Sequence, residues 1–200
     1  MSDSRKPWKS SSKFIGILLS IIAIFGLIAS FVLIHETLAV AKNPDHIPAC
    51  DISPLVSCTS VMSEPSSEIL GLPFPVFGTV AFGALLAFAV LLAVGTKFAP
   101  IIWKLAVGVS GAGLLAVAYM MSLSMFSYGT ICPWCFCVWL VTIATFWAIV
   151  TYVASARPLK LKGRLDSVAT VWSKYAPIIL LGTYVFVLFI LLVRFSEVLI

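Results

Sequence analysis

Charge is what this 200-residue chain has least of. Asp, Glu, Lys and Arg make up 10% of it, against 61% hydrophobic residues, whereas globular chains run at about 25% charged and 45–50% apolar. Mean hydropathy is +1.11. So few polar groups cannot coat a particle of 21.6 kDa in water. That excludes a soluble enzyme, a secreted disulfide miniprotein and a nucleic-acid-binding domain as readings of the whole chain. Only two histidines and five cysteines are present, and internal repeats, low-complexity tracts and an appended soluble domain are lacking. The composition left is that of an all-α integral membrane protein.

A helix crosses a bilayer in about 20 apolar residues. Between ionisable residues, Phe14–Ile34 gives 21 uncharged residues, Ile69–Thr96 gives 28, Tyr175–Val193 gives 19 and Leu105–Ala156 gives 52. The last is two crossings and a turn, which Ser127-Tyr128-Gly129-Thr130-Ile131-Cys132-Pro133 places by its polar groups, Gly and Pro. Five spans are expected, at 14–38, 74–95, 103–126, 132–154 and 175–196.

Lysine and arginine then set the orientation. With the N-terminus cytoplasmic, 11 of the 13 basic residues lie inside, leaving only Lys42 and Arg194 outside. Glu36, Asp45, Asp51, Glu64, Glu68 and Glu197 gather outside. This positive-inside bias favours N-in, C-out, and it accounts for the net charge of +5 without any nucleic-acid partner. The expected parts are a cytoplasmic tail (1–13), a four-span core (14–155) with an exoplasmic loop (39–73), a basic cytoplasmic loop (156–174) and a fifth span (175–200). The loop is proline-rich, with room for a short helix over 55–62. Ala39-Val40-Ala41 imitates a signal-peptide cleavage site. The preceding apolar run is longer than a 7–15-residue h-region, however, so the segment is expected to stay as an anchor.

Four cysteines fall on the exoplasmic side, where disulfides persist. Cys50 and Cys58 lie in the loop, and Cys132-Pro133-Trp134-Cys135 opens the fourth span. A C-x-x-C at a helix start sets two sulfurs on one face. Proline suits the first turn, and the N-terminal dipole favours a thiolate there. A zinc pair is the other reading, but the four tetrahedral ligands it needs find no second tight Cys/His pair, and redox chemistry is preferred with no metal assigned. For Cys50/Cys58 a static loop disulfide stands beside a redox role, which a second dithiol on the same side supports through thiol–disulfide exchange. Cys137, about 200° round the helix from Cys135, reads as a small buried hydrophobe.

The order Cys50-Asp51-(six residues)-Cys58, then GLPFPVFG over Gly71–Gly78, then Cys-Pro-Trp-Cys resembles the vitamin K epoxide reductase family, most of all its bacterial homologues, over about residues 14–155. The fifth span resembles the extra helix of bacterial members, many of which continue into a thioredoxin-like domain; here such a partner is expected to be a separate protein. DsbB proteins are a weaker match, since their C-x-x-C precedes the spaced pair. The resemblance implies an active-site pair Cys132/Cys135, with Cys135 meeting a quinone (menaquinone, ubiquinone or vitamin K type). It also implies a shuttle pair in which Cys50 takes the attack of a partner and Cys58 relays to Cys132. Two departures are visible. The family's quinone-contacting Asn falls at or near Phe74, which has no amide, and its Tyr past the active-site pair falls at Trp139, which keeps an aromatic wall and an N–H. A hydroxyl expected past the second loop cysteine falls at Ser63 or Glu64.

These readings converge on a multi-pass protein of the cell membrane that reoxidises a secreted or periplasmic DsbA-like protein through Cys50/Cys58, Cys132/Cys135 and quinone, with its active site exoplasmic. Phe74, Val76, Phe77, Met121, Met125 and Trp139 are the candidate pocket lining, each also readable as bundle or lipid-facing filler. His35 and Glu36 mark the interface, with proton relay as the alternative, and Asp51 would raise the pKa of the neighbouring Cys50 thiol. The rival readings are vitamin K epoxide reduction proper, a non-enzymatic protein with two static disulfides, and a metal carrier.

Overall fold

The structure, a computed structural model, describes residues 12–43, 45–53, 55–62, 68–69, 71–156 and 164–199. Helix α1 spans Ser12–Lys42, and the short α2 covers Cys58–Met62. A two-residue hairpin pairs β1 (Glu68–Ile69) with β2 (Leu72–Pro73). Then follow α3 (Phe74–Val94), α4 (Pro100–Leu123) with a π-helical turn at Ser124–Tyr128, α5 (Pro133–Ala156) and α6 (Arg164–Leu199). Among the described residues, five helices are long and apolar enough to cross a membrane.

Proline and glycine punctuate the spans. Pro75 and Pro100 sit in the first turns of α3 and α4, where the missing N–H costs nothing. Gly95 closes α3 at φ 97°; its N–H reaches Leu92 O at 3.0 Å and that of Thr96 reaches Leu91 O at 3.0 Å, the paired bonds of a Schellman cap. Gly129, at φ 67°, ends the π turn with its N–H on Ser124 O at 3.0 Å, so that only Thr130–Cys132 separate it from Pro133.

The side chains are arranged inside out relative to a water-soluble bundle. Phe31 is 66% exposed and Leu115 73%, the pattern of helices solvated by lipid. Apolar burial drives little association in lipid, so close approach between small residues takes over. A Cβ on Gly16 would lie 2.4 Å from Ala93 N, and Gly26 and Gly78 lie flush against Phe82 and Ser30. These contacts clamp α1 to α3. One end of the bundle is filled by Leu19, Leu92, Trp103 and Ile149, with Tyr152 stacked on Trp103 at 4.8 Å. Helix α6 docks on α5 through Tyr184 Oη to Leu140 O at 2.9 Å and a Trp147–Trp172 stack at 4.8 Å.

Boundaries differ from the sequence expectation in three places. Helix α1 runs to Lys42, so Ala39–Ala41 form its last turn and the loop begins at 43. Helix α6 begins at Arg164, well before 175, with Pro177 inside it; Pro177 removes one intrahelical bond without ending the helix. The third crossing ends in a π turn reaching Tyr128, shortening the next connection. The tail residues 1–11, the segment 157–163, and Ser63 and Glu64 lie outside the described residues.

Candidate active site

The site is assembled by backbone pairing between two stretches far apart in sequence. Val56 forms a parallel bridge with Ile131: Ile131 N–H donates to Leu55 O at 2.9 Å, and Ser57 N–H donates to Ile131 O at 3.2 Å. The bridge holds the two strips together, and just beyond it Cys58, two residues past Val56, meets Cys132, one residue past Ile131. Their sulfurs lie 3.1 Å apart, at 0% and 1% exposure. Cys58 is meanwhile disulfide-bonded to Cys50, while Cys132 and Cys135 are free thiols. Leu33, Trp134 and Val138 pack around the four sulfurs.

Local capping holds each sulfur in place. Ser57 Oγ accepts the Ser60 N–H at 3.1 Å. Asp51 Oδ1 accepts those of Cys58 at 2.6 Å and Thr59 at 3.1 Å. The first turn of α2, where N–H groups lack helical partners, is thereby satisfied. Partial burial works to raise the Asp51 pKa. Contacts from the Thr59 hydroxyl, the N–H groups of Thr59 and Cys58, and the Ser57 hydroxyl outweigh it and hold the carboxyl below its ordinary value. The Asp51 charge is therefore engaged by the α2 cap, while Cys50, whose thiol it was expected to perturb, is in a disulfide. Across the site, Cys132 precedes α5, and its sulfur receives the Cys135 N–H at 3.4 Å. Ser124 Oγ donates to Thr130 O, fastening the π turn to the segment that carries Cys132.

Below the sulfurs lies a cavity of about 460 Å³. Stripes three and four residues apart wall it: Phe74, Phe77 and Ala81 on α3, Val117 and Met120 on α4, Cys135 and Trp139 on α5, and Ser30 and Leu33 on α1. Phe74, Phe77 and Trp139 thus stand where the sequence reading placed them. Met121 and Met125 do not. Met120 holds the wall position and Met121 is turned about 100° away. Met125 is buried in the π turn, its carbonyl accepting Arg194 Nε at 2.9 Å, and Ser124 faces the cavity instead. Val76 is also off the wall. Sequence reasoning missed Ser30 and Leu33 altogether. The spacing Gly26-x-x-x-Ser30, small residues on one face of an otherwise bulky helix, was the available signal.

Three other groups fall outside the cavity. Cys137 is exposed on α5, not buried as expected. His35 is 71% exposed, and Glu36 pairs with His46 at 3.0 Å, tying the loop entry to α1. The ligand atoms of Cys50, Asp51 and Cys58 lie within 4.8 Å of one another, but with both sulfurs joined to each other the trio offers a metal only the carboxylate.

The model of the vitamin K epoxide reductase family matches residues 17–150. No curated protein matches the chain.

Proposed function

Since the chain belongs to the vitamin K epoxide reductase family, a quinone-linked disulfide oxidoreductase, we propose that it reoxidises the dithiol of a thioredoxin-like, DsbA-type protein outside the cell membrane. The orientation that goes with this is N-terminus cytoplasmic and cysteine end exoplasmic, which the lopsided Lys/Arg distribution supports. The observation that carries the reading is the 3.1 Å approach of Cys58 and Cys132, which joins a loop disulfide to a second dithiol by their sulfurs. Two static disulfides would need no such contact.

The sulfur chemistry follows from exposure and order. Cys50 is 6% exposed and Cys58 not at all, so a partner thiolate meets Cys50. Its attack forms a partner–Cys50 bond and releases Cys58 as the thiolate. Cys58 then attacks Cys132 of an oxidised Cys132–Cys135 pair, and Cys135 leaves as the thiolate. The second partner thiol resolves the bond to Cys50, leaving the partner oxidised. Cys50 in turn closes back on Cys58, freeing Cys132. The dithiol Cys132/Cys135 beside an intact Cys50–Cys58 disulfide, the state seen here, is thus the one ready to hand two electrons onward.

The cavity fits a quinone. Its volume lies within the roughly 300–1,000 Å³ of small-molecule sites, its walls are mainly apolar, and it reaches Cys135. Phe74, Phe77 and Trp139 would hold the ring, Trp139 with an indole N–H that has no hydrogen-bond partner among the described residues. A bound quinone supplies a two-electron, two-proton acceptor. Helices α3 and α4 both line the cavity and carry exposed apolar side chains such as Val80 and Leu115, faces suited to lipid. Phe74 offers no amide, which favours quinone over epoxide as the acceptor.

Thiol trapping tests the relay. Acid quenching and a mass-adding maleimide should show part-reduced cysteines during turnover, and Cys58→Ala should accumulate a mixed disulfide between Cys50 and a secreted thioredoxin-like protein. Four cysteines fixed as two disulfides at every quinone poise would overturn the reading.

A further inference from the structure

Six hydroxyls interrupt the apolar wall of the cavity: Ser30, Thr37, Ser110, Ser124, Thr142 and Thr145. Five of them already donate to backbone carbonyls. Thr37 bonds Leu33 O at 2.7 Å, Ser110 bonds Val107 O at 3.2 Å and Ser124 bonds Thr130 O. Thr142 bonds Val138 O at 2.7 Å, and Thr145 bonds Val141 O at 2.8 Å. In a bilayer this is how a helix satisfies such side chains.

Ser30 is the exception. It is 1% exposed, it lines the cavity, and its hydroxyl has no hydrogen-bond partner among the described residues. Buried hydroxyls are almost always paired, and one left unpaired against a cavity calls for a ligand oxygen. Its position suits one. Ser30 lies one turn of α1, a rise of about 4.5 Å, from Leu33, which packs against Cys58, Cys132 and Cys135. Across from it α3 has a glycine: a Cβ on Gly78 would come 2.7 Å from Ser30 Oγ, so any larger residue there would crowd the hydroxyl.

We propose that the Ser30 hydroxyl donates the hydrogen bond that fixes a quinone carbonyl oxygen in this cavity. This rests on the quinone reading above and adds the polar contact that Phe74 cannot make. Held at α1 while Cys135 approaches from α5, Ser30 orients the ring between them. Its fixed dipole also stabilises negative charge on the carbonyl oxygen as electrons arrive.

The test uses the full-length chain in lipid nanodiscs and a naphthoquinone labelled with ¹³C at its carbonyls. Quenching of tryptophan fluorescence reads the affinity, and isotope-edited infrared difference spectra read the carbonyl stretch. Bound to the unaltered chain, one carbonyl band should fall below its value in hydrocarbon solvent. In Ser30→Ala that band should return upward, and affinity should weaken roughly 3- to 10-fold. Ser30→Cys, close in shape with a weaker donor, should give an intermediate band. A quinone that binds Ser30→Ala with unchanged band and affinity overturns the role of Ser30 and leaves the quinone reading standing. No saturable binding to the unaltered chain overturns the quinone reading and this proposal with it.

Discussion

Replacing Asp51 probes how the loop aims Cys58 at Cys132. One Asp51 oxygen accepts the N–H groups of Cys58 and Thr59, at 2.6 and 3.1 Å, and Cys58 is the residue whose sulfur touches Cys132. Losing a helix cap of this kind costs about 0.5–2 kcal/mol. With two donors stranded in Asp51→Ala, the upper half of that range applies, about 1–2 kcal/mol, or a factor of roughly 5–30 in the population of the aligned loop. The assay is a chain with Cys50, Cys135 and Cys137 changed to Ala, in which Cys58 and Cys132 are the only cysteines. Mild oxidant, acid quench and maleimide mobility shift then give the rate of Cys58–Cys132 closure. Asp51→Ala should slow it by about that factor, and Asp51→Asn, which keeps the acceptor oxygen, by much less. The pH dependence has a definite sign. The folded pKa of Asp51 is held below 3.8, so its contribution is complete at neutral pH, persists down to about that value, and disappears as pH falls through the folded pKa. Closure in Asp51→Ala at the unaltered rate would refute the capping account.

Three further outcomes follow from packing. Gly16→Leu drives a side chain into the Ala93 backbone, where even a Cβ would stand at 2.4 Å. It should lower stability in detergent by about 3 kcal/mol or more, whereas Phe31→Leu, facing outward, should shift it by less than about 0.5 kcal/mol; chemical denaturation followed by circular dichroism separates the two. Ser124→Ala strips the Thr130 carbonyl of its donor, costing about 1–3 kcal/mol, and should speed labelling of Cys132 by a membrane-impermeant maleimide. Glu36→Gln weakens a part-exposed contact with His46 and should change thermal stability by under about 1 kcal/mol.

The helices and the cysteine pairs were legible because they depend on local signals. Charge gaps located the spans, Gly129 and Pro133 located the turn, and Cys132-Pro133-Trp134-Cys135 declared a helix start. What lay hidden depends on long-range pairing or on helix rotation. The Leu55–Ser57 strip reaches Ile131 across some 75 residues, and nothing near either segment records it. Which face lines the cavity was hidden for another reason. When nearly every residue of a span is apolar, periodicity cannot separate a cavity wall from a lipid face. Met121 and Met125 were named on chemistry alone, and Met120 and Ser124 hold the wall instead. The π turn adds a residue to the final turn of that span, shifting the register further. Helix α6 begins early because Arg164 and Asp166 are compatible with a helix, and charge only marks where the apolar span starts.

The central claim is that electrons pass from a protein dithiol through Cys50/Cys58 and Cys132/Cys135 to a quinone. The most direct measurement is quinone-dependent oxidation of a reduced thioredoxin-like dithiol by the purified chain, with each cysteine replaced by Ala in turn. The account predicts turnover abolished at Cys50, Cys58, Cys132 and Cys135, and retained at Cys137, which is exposed and off the cavity. A rate for the unaltered chain no greater than that of Cys135→Ala, or full turnover in Cys58→Ala, would contradict it.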